Sequence, residues 1–368
     1  MFESYSAIAR KVWDLHKKLM RSFHYADILA LHAMARLGKI DGDMELIDEI
    51  RQRLAPFVQW EVPNVIGAYG PTVYRFGGNA TAFMVARGLM PEAEVTLLKS
   101  AEMLCTQQPR NKEGIFEWPQ RPNQPEWHDF IWIDSVFGVC PFLLWAGKVF
   151  DRQEFIDESV KQMLGHHRRL FDPALKLYFQ AFNAWGSGIL TPGHWSRGEG
   201  WGLLALAELL YDLPKDHPGY GELLQSYRDN LEGCAASQDG SGMWHQAMEM
   251  PESYLETSGT ALILYAISRG LKNGSVAETD HERFLKIYLK GLKALLGYIG
   301  LDGSVYNASS GCLAPGQGSG KDYAEHPWKR NDNHGTAAVM ICLSQAETLC
   351  TKLKMIPTPE ELINSKEI

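Results

Sequence analysis

The chain has 368 residues, 45% of them hydrophobic and 22% charged, with a net charge of −8, which is the composition of a globular protein with ample core rather than a disordered or fibrous one. The acidic balance excludes a nucleic-acid surface, which needs a basic face, but it leaves room for an acidic ligand held by a local Arg. Between Met1 and Met20 the charged residues Glu3, Arg10, Lys11, Asp14, Lys17 and Lys18 interrupt every apolar run, so neither a signal peptide nor a membrane span is expected there. The chain therefore reads as a cytoplasmic protein whose mature form begins here. Six cysteines, Cys105, Cys140, Cys234, Cys312, Cys342 and Cys350, are scattered without a C-x-x-C pair; reduced, buried thiols are expected, with no zinc framework.

Apolar residues recur at i, i+3, i+4 and i+7 in about twelve segments. In chain order these are Glu3 to Arg21, Ala26 to Leu37, Asp43 to Phe57, Asn79 to Met90, Ala93 to Gln107, Asp134 to Phe150, Gln153 to Leu170, Gly198 to Tyr211, Tyr220 to Ser237, Ser253 to Leu271, His281 to Ile299 and Gly335 to Leu353. Strand-like alternation is confined to short pieces such as Leu177 to Phe182. Short links (Pro91 to Glu92, Asp151 to Arg152, Asp212 to Gly219, Lys272 to Asp280) alternate with long ones: Val58 to Gly78, Gln108 to Ile133, Phe171 to Arg197, Gln238 to Glu252 and Gly300 to His334. Antiparallel helices reverse direction at each link, so every long connection falls at the same end. Structureless loops beyond roughly 15 residues are usually functional. The expected fold is all-α: six hairpins closed into an (α/α)6 toroid over residues 1–368, with the starts of the inner helices gathered at one mouth.

The aromatic residues test that arrangement. Of the 11 tryptophans, all but Trp13 and Trp145 fall in the long connections or the first turns after them: Trp60, Trp118, Trp127, Trp132, Trp185, Trp195, Trp201, Trp244 and Trp328. His128, His194, His245, His326 and His334 accompany them. Indole faces beside hydrogen-bonding groups suit a sugar ring, although long loops also need aromatic plugs of their own.

Four stretches carry candidate chemistry. In Trp127-His128-Asp129-Phe130-Ile131-Trp132-Ile133-Asp134-Ser135, Asp134 opens a helix too apolar to face water. An Asp there is commonly a cap, but a carboxyl dried by indoles has a raised pKa and holds a proton as a general acid must. In His194-Trp195-Ser196-Arg197-Gly198-Glu199-Gly200-Trp201, two indoles bracket Arg197; it suits a substrate carboxylate, or else a structural pair with Glu199. The third stretch joins Gln238 to Gln246, with Trp244 and His245, to Tyr254-Leu255-Glu256-Thr257-Ser258. There a glycine turn leads into a short strand, and Glu256 is either a second acid or the end of a capping box begun by Ser253. In Lys329-Arg330-Asn331-Asp332-Asn333-His334-Gly335, capping accounts for Asp332 and Asn333 but not for His334, a candidate hydrogen-bond partner or proton carrier. No P-loop, dinucleotide fingerprint, H-E-x-x-H or G-x-S-x-G is present.

Together, Trp132-Ile133-Asp134-Ser135 with Pro141-Phe142, Trp195 to Trp201, Tyr254 to Ser258 and Asn331 to Gly335 resemble the unsaturated uronyl hydrolases of glycoside hydrolase families 88 and 105, nearest to the unsaturated rhamnogalacturonyl hydrolases of family 105. The resemblance implies an (α/α)6 barrel without metal or cofactor. It also implies hydration of the C4=C5 double bond in the terminal 4,5-unsaturated uronic acid of a short lyase-derived oligosaccharide. Asp134 takes the place of the family's acid/base; Trp132, His194, Trp195, Arg197, Trp201, Trp244 and His334 are the expected substrate contacts. The chain departs from the family twice. Phe76-Gly77-Gly78-Asn79-Ala80-Thr81 lacks the additional Asp usual on the earlier inner helix, and Gln180-Ala181-Phe182-Asn183 stands where a pocket His is common, which makes Gln180 a further candidate contact. A sugar epimerase or conventional glycosidase on the same toroid, or a silent sugar-binding homologue, are the alternatives.

Overall fold

A computed structural model describes residues 4–20, 24–60, 62, 65, 72–117, 128–311 and 320–366. Its helices are α1 (Tyr5–Leu19), α2 (Tyr25–Asp41), α3 (Met44–Trp60), α4 (Gly78–Ala86), α5 (Glu94–Gln107), α6 (Asp134–Phe150), α7 (Gln153–Leu170), α8 (Ser196–Asp212), α9 (Tyr220–Ala236), α10 (Thr257–Asn273), α11 (His281–Leu296), α12 (Gly320–Glu325), α13 (Asn333–Glu347) and α14 (Pro359–Asn364). Helices α2, α4, α6, α8, α10 and α13 pack side by side in that order, and α13 closes the ring against α2. Outside them lie α1, α3, α5, α7, α9 and α11. This is the (α/α)6 toroid expected from the periodicity, with the short helices α12 and α14 added to it.

Composition sorts the two layers. The inner helix α6 is buried without a break from Val136 to Gly147, and α10 from Thr257 to Leu271, as helices apolar on all sides must be. The outer helix α1 buries Tyr5, Ile8, Ala9, Val12, Trp13 and His16 on one stripe, and α11 buries Phe284, Tyr288, Leu292 and Leu295 at the same spacing. Their opposite faces carry the lysines and glutamates.

The long connections are stitched by two-residue antiparallel ladders. Strand β1 (Ile131–Trp132) pairs with β4 (Ala181–Phe182), β2 (Phe171–Asp172) with β3 (Leu177–Tyr178), β5 (Trp244–His245) with β6 (Leu255–Glu256), and β7 (Ala308–Ser309) with β8 (Trp328–Lys329). Strand β6 runs directly into α10, and β1 and β8 end shortly before α6 and α13, so these ladders aim the first turns of those helices. Helix α10 starts at Thr257, four residues after the expected Ser253. The cap is Glu256 itself, whose side chain accepts from the Ser258 and Gly259 N–H groups; no capping box from Ser253 forms.

The cysteines are free thiols: Cys140, Cys234 and Cys342 are buried, Cys105 and Cys350 half-buried. Cys312 lies outside the described residues, as do Trp118 and Trp127. Among the described residues no helix is long and apolar enough to cross a membrane.

Candidate active site

The first turns of the inner helices converge on Asp134. The Ile133 N–H donates to the Gln180 carbonyl at 2.9 Å, extending the β1–β4 ladder and starting α6 at Asp134. The Asp134 carboxyl is favoured in its charged form by the residue's own backbone N–H. It is half-buried, with Oδ2 enclosed and lacking a hydrogen-bond partner among the described residues. Burial raises its pKa to about 7, against the opposing pull of Arg197 and the indole N–H groups of Trp132 and Trp201. A carboxyl in that range gives and takes a proton near neutrality.

Its walls come from three helices. Phe137, one turn after Asp134, stacks on Trp201 with centroids 4.5 Å apart. Tyr74, whose pKa is raised by burial and by the Asp134 charge, lies 5.7 Å from the Tyr25 ring. Its hydroxyl end rests on the bare Cα of Gly138.

Behind this wall, Pro141 has no N–H to offer the Phe137 carbonyl. Asn79 of α4 supplies the missing donor through Nδ2 at 2.6 Å. Asn79 thus stands in the segment where the resemblance led one to look for an Asp, and its role requires an N–H that an ionised Asp lacks.

Arg197 is 1% exposed and its guanidinium lies 4.3 Å from the Trp195 ring centre. Nη1 donates to Ser258 Oγ at 3.1 Å and to the Ser309 carbonyl at 2.8 Å, and Nη2 to the Gly311 carbonyl at 2.8 Å. Among the described residues no carboxylate pairs with it, and its Nε–H has no acceptor. A buried cation without a counter-ion, keeping a donor unused, suits an anionic ligand. The structural pairing with Glu199 does not occur. Glu199 accepts instead from the Tyr178 N–H at 2.7 Å and Asn230 Nδ2 at 2.8 Å, and burial raises it to about 8.

On the far side, Asp332 caps α13 by accepting from the His334 N–H at 3.1 Å and also from His334 Nδ1 at 2.6 Å. His334 Nε2 lies 2.8 Å from the Tyr25 hydroxyl. The Tyr25 ring is 6.4 Å from Trp201, which places this chain of groups beside the Asp134 walls. Gln180 is buried, accepts from the Tyr323 hydroxyl, and keeps Nε2 without a partner among the described residues.

The structure leaves other expected contacts outside this cluster. His194 bonds to Glu249 at 3.2 Å, faces Asp172 at 3.6 Å and packs on Phe179, sharing no partner with Asp134. Trp244 is wholly buried in the main core, its Nε1–H donating to the Cys234 carbonyl at 2.7 Å, so no edge remains for a ligand. Glu256 is consumed as a cap, accepting also from the Ser309 N–H at 2.9 Å. The indoles are less open than a stacking platform requires. Trp132 is 5% exposed and Trp195 2%; Phe130 covers one face of the first and Arg197 one face of the second. Tyr25, Tyr74 and Asn79 were not singled out by the sequence reading. Each stands at or shortly before the start of an inner helix, a position that gives no signal until the ring of helices is assembled.

The family model for Glycosyl Hydrolase Family 88 matches residues 18–350. The chain belongs to glycosyl hydrolase family 88. As a member of family 88 it is a glycoside hydrolase, and the resemblance carried by the four motifs is borne out. It is 29% identical over 260 residues to the unsaturated rhamnogalacturonyl hydrolase YesR of Bacillus subtilis (strain 168), a match covering 71% of this chain and 72% of that one. It is 26% identical over 223 residues to an unsaturated 3S-rhamnoglycuronyl hydrolase of Alteromonas sp. (strain LOR), covering 59% of this chain and 51% of that one. The fold matches a family 105 glycoside hydrolase of C. acetobutylicum with a TM-score of 0.78 at 21% identity, over 93% of this chain and 99% of the other. It also matches the unsaturated glucuronyl hydrolase of Bacillus sp. GL1 with a TM-score of 0.72 at 16% identity, over 95% and 96%.

Proposed function

We propose that this protein removes terminal 4,5-unsaturated uronic acid residues from short oligosaccharides left by a polysaccharide lyase, with Asp134 as general acid and base, and that residues 1–368 form one catalytic unit. The observation that carries the reading is the pairing of two groups at one mouth. A carboxyl raised to about 7 sits in the field of a buried guanidinium that has no carboxylate partner among the described residues. An unsaturated uronate supplies what each lacks: an anion for Arg197 and an electron-rich enol ether for the Asp134 proton. Relatives named as unsaturated rhamnogalacturonyl and rhamnoglycuronyl hydrolases support the same substrate class.

In this mechanism the C4=C5 pair takes the Asp134 proton at C4, and the positive charge that develops at C5 is shared with the ring oxygen. Water adds at C5, its proton leaving to a base. The resulting hemiketal collapses, opens the ring and releases the next sugar. Burial among the aromatic walls raises the acid to about 7, so a share of it carries the proton near neutrality when substrate arrives.

The conjugated double bond absorbs in the ultraviolet, so its loss is read directly. Wild type incubated with a panel of lyase digests is expected to bleach at least one of them, and Asp134→Asn to lose that activity by on the order of a thousandfold or more. Bleaching that survives the substitution, or a panel on which wild type does nothing, defeats this assignment.

A further inference from the structure

We propose that His194 and Glu249 form a latch that positions Arg197 for the substrate carboxylate. This rests on the substrate class and on the Arg197 role argued above. His194 then acts through Arg197, as a positioning residue rather than a contact of the sugar.

The segment that carries Arg197 lies against the segment that leads out of β5. Trp195 and Ala247 form an isolated antiparallel bridge. It is flanked by bonds from the Met248 N–H to the His194 carbonyl at 2.8 Å and from the Ser196 N–H to the Gln246 carbonyl at 3.1 Å. So short a ladder is marginal by itself. Glu249 closes its open end. The Glu249 carboxylate accepts from the His194 backbone N–H at 3.1 and 3.2 Å and lies 3.2 Å from Nδ1. Gly193 makes room for it: φ is 70° there, and a Cβ would come within 2.9 Å of Glu249 Oε1. The His194 ring is buried against Phe179, with Asp172 3.6 Å from Nε2.

The bridge reaches Arg197 through Gln246. The Gln246 side chain accepts from the Trp195 Nε1–H at 3.1 Å and donates to Ser309 Oγ at 3.0 Å. It thus fixes the indole over which the guanidinium lies at 4.3 Å and the residue whose carbonyl accepts from Arg197 Nη1 at 2.8 Å. Charge holds the latch shut. Burial works against a charged His194, but the bond to Glu249 and the fields of Glu199, Glu249 and Asp172 outweigh it and raise the imidazole above its ordinary range. Glu199 is itself raised to about 8 and is mostly neutral at pH 7, so Glu249 and Asp172 carry the pull there. An imidazolium donates from both nitrogens, Nδ1–H toward Glu249 and Nε2–H toward Asp172.

Loss of the latch is expected to weaken the hold on the carboxylate and to spare the chemistry. On the digest oligosaccharide that wild type bleaches fastest, His194→Ala should raise KM about tenfold with kcat within about threefold. The methyl ester of the same oligosaccharide offers Arg197 no anion. For it, KM, or the inhibition constant where the ester is not turned over, should stay within about threefold of wild type. His194→Asn keeps a donor at the Nδ1 position and should restore most of the KM. Glu249 is exposed, so Glu249→Gln, which removes only the charge, makes the same comparison if His194→Ala fails to fold. Wild-type KM in both His194→Ala and Glu249→Gln, equal losses on acid and ester, or His194→Asn no better than His194→Ala overturns the latch. Nitrogen NMR of histidine-labelled protein gives a readout independent of turnover, with the His194 signals assigned from their absence in His194→Asn. The expected result is a titration midpoint above the ordinary 6.5 that falls in Glu249→Gln. A midpoint at or below that value, or one that Glu249→Gln does not move, overturns the latch. If wild type bleaches no digest, the proposed function is what fails, and the NMR titration alone then decides the latch.

Discussion

At position 134 two opposing fields meet. Burial favours the neutral carboxyl, whereas Arg197 and two indole N–H groups favour the charged one, and burial prevails with a pKa of about 7. Because this lies above the ordinary 3.8, the contribution to stability is complete below about pH 4 and is lost as pH rises through 7. Asp134→Asn escapes that loss. It is expected to match wild type in thermal melts near pH 4 and to exceed it at pH 8 by on the order of 2 kcal/mol, less than the full shift because the group keeps some solvent. In the active enzyme the same titration removes the acid form, so kcat/KM should fall above pH 7. An Asp134→Asn variant no more stable than wild type at pH 8 shows that position 134 is not dry. Asp134, Arg197 and His334 were legible as residues because their neighbours in sequence are indoles, glycines and caps. Tyr25 was not: a single Tyr at a helix start carries no signal until the ring of helices brings it to His334, 309 positions away.

Helix α6 shows how an element sets a site. Its apolar run buries it on all sides, Pro141 breaks its hydrogen-bond ladder, and Asn79 repairs the break from the neighbouring helix. Gly138 sits one turn from Asp134, where a Cβ would come within 2.7 Å of Tyr74 Cζ. In an exposed helix, Gly to Ala stabilises by about 1 kcal/mol. Here the clash reverses the sign, since neither Tyr74 nor the helix can retreat within a closed wall. Gly138→Ala is expected to lower the melting temperature by several degrees and, by displacing Tyr74, to reduce kcat about tenfold or more. A variant as stable and active as wild type would mean that Tyr74 is free to move. The helix spans were readable from periodicity alone because inner and outer helices differ in how many sides they bury. The start of α10 was not, since Glu256 caps it with ligands drawn partly from Ser309 in a distant loop.

At the scale of the molecule, the end of the ring away from Asp134 is closed by charge. Glu208 of α8 lies wholly buried between Arg36 of α2 and Arg269 of α10, each 3.1 Å away, and also accepts from the Tyr265 hydroxyl. Burial works against its charge, yet Arg269 and Arg36 bring its pKa down to about 2. Glu208→Gln strands two buried guanidinium groups and is expected to destabilise the fold by about 3–5 kcal/mol in denaturant melts; a loss below 1 kcal/mol would show that solvent reaches this plug. What the sequence determined by itself is the toroid and the mouth: helical periodicity fixes the twelve helices of the ring, though not the short α12 and α14, and alternating link lengths fix the end at which their long loops gather. Partners were decided only by the tertiary structure. Among the described residues Arg197 is left without a carboxylate while Glu199, two residues on, turns to Asn230, and Trp244 turns inward while the Tyr25 hydroxyl meets His334. Helical spacing sets the side of a helix on which a residue lies, but the partner it meets there comes from another turn of the ring, remote in sequence.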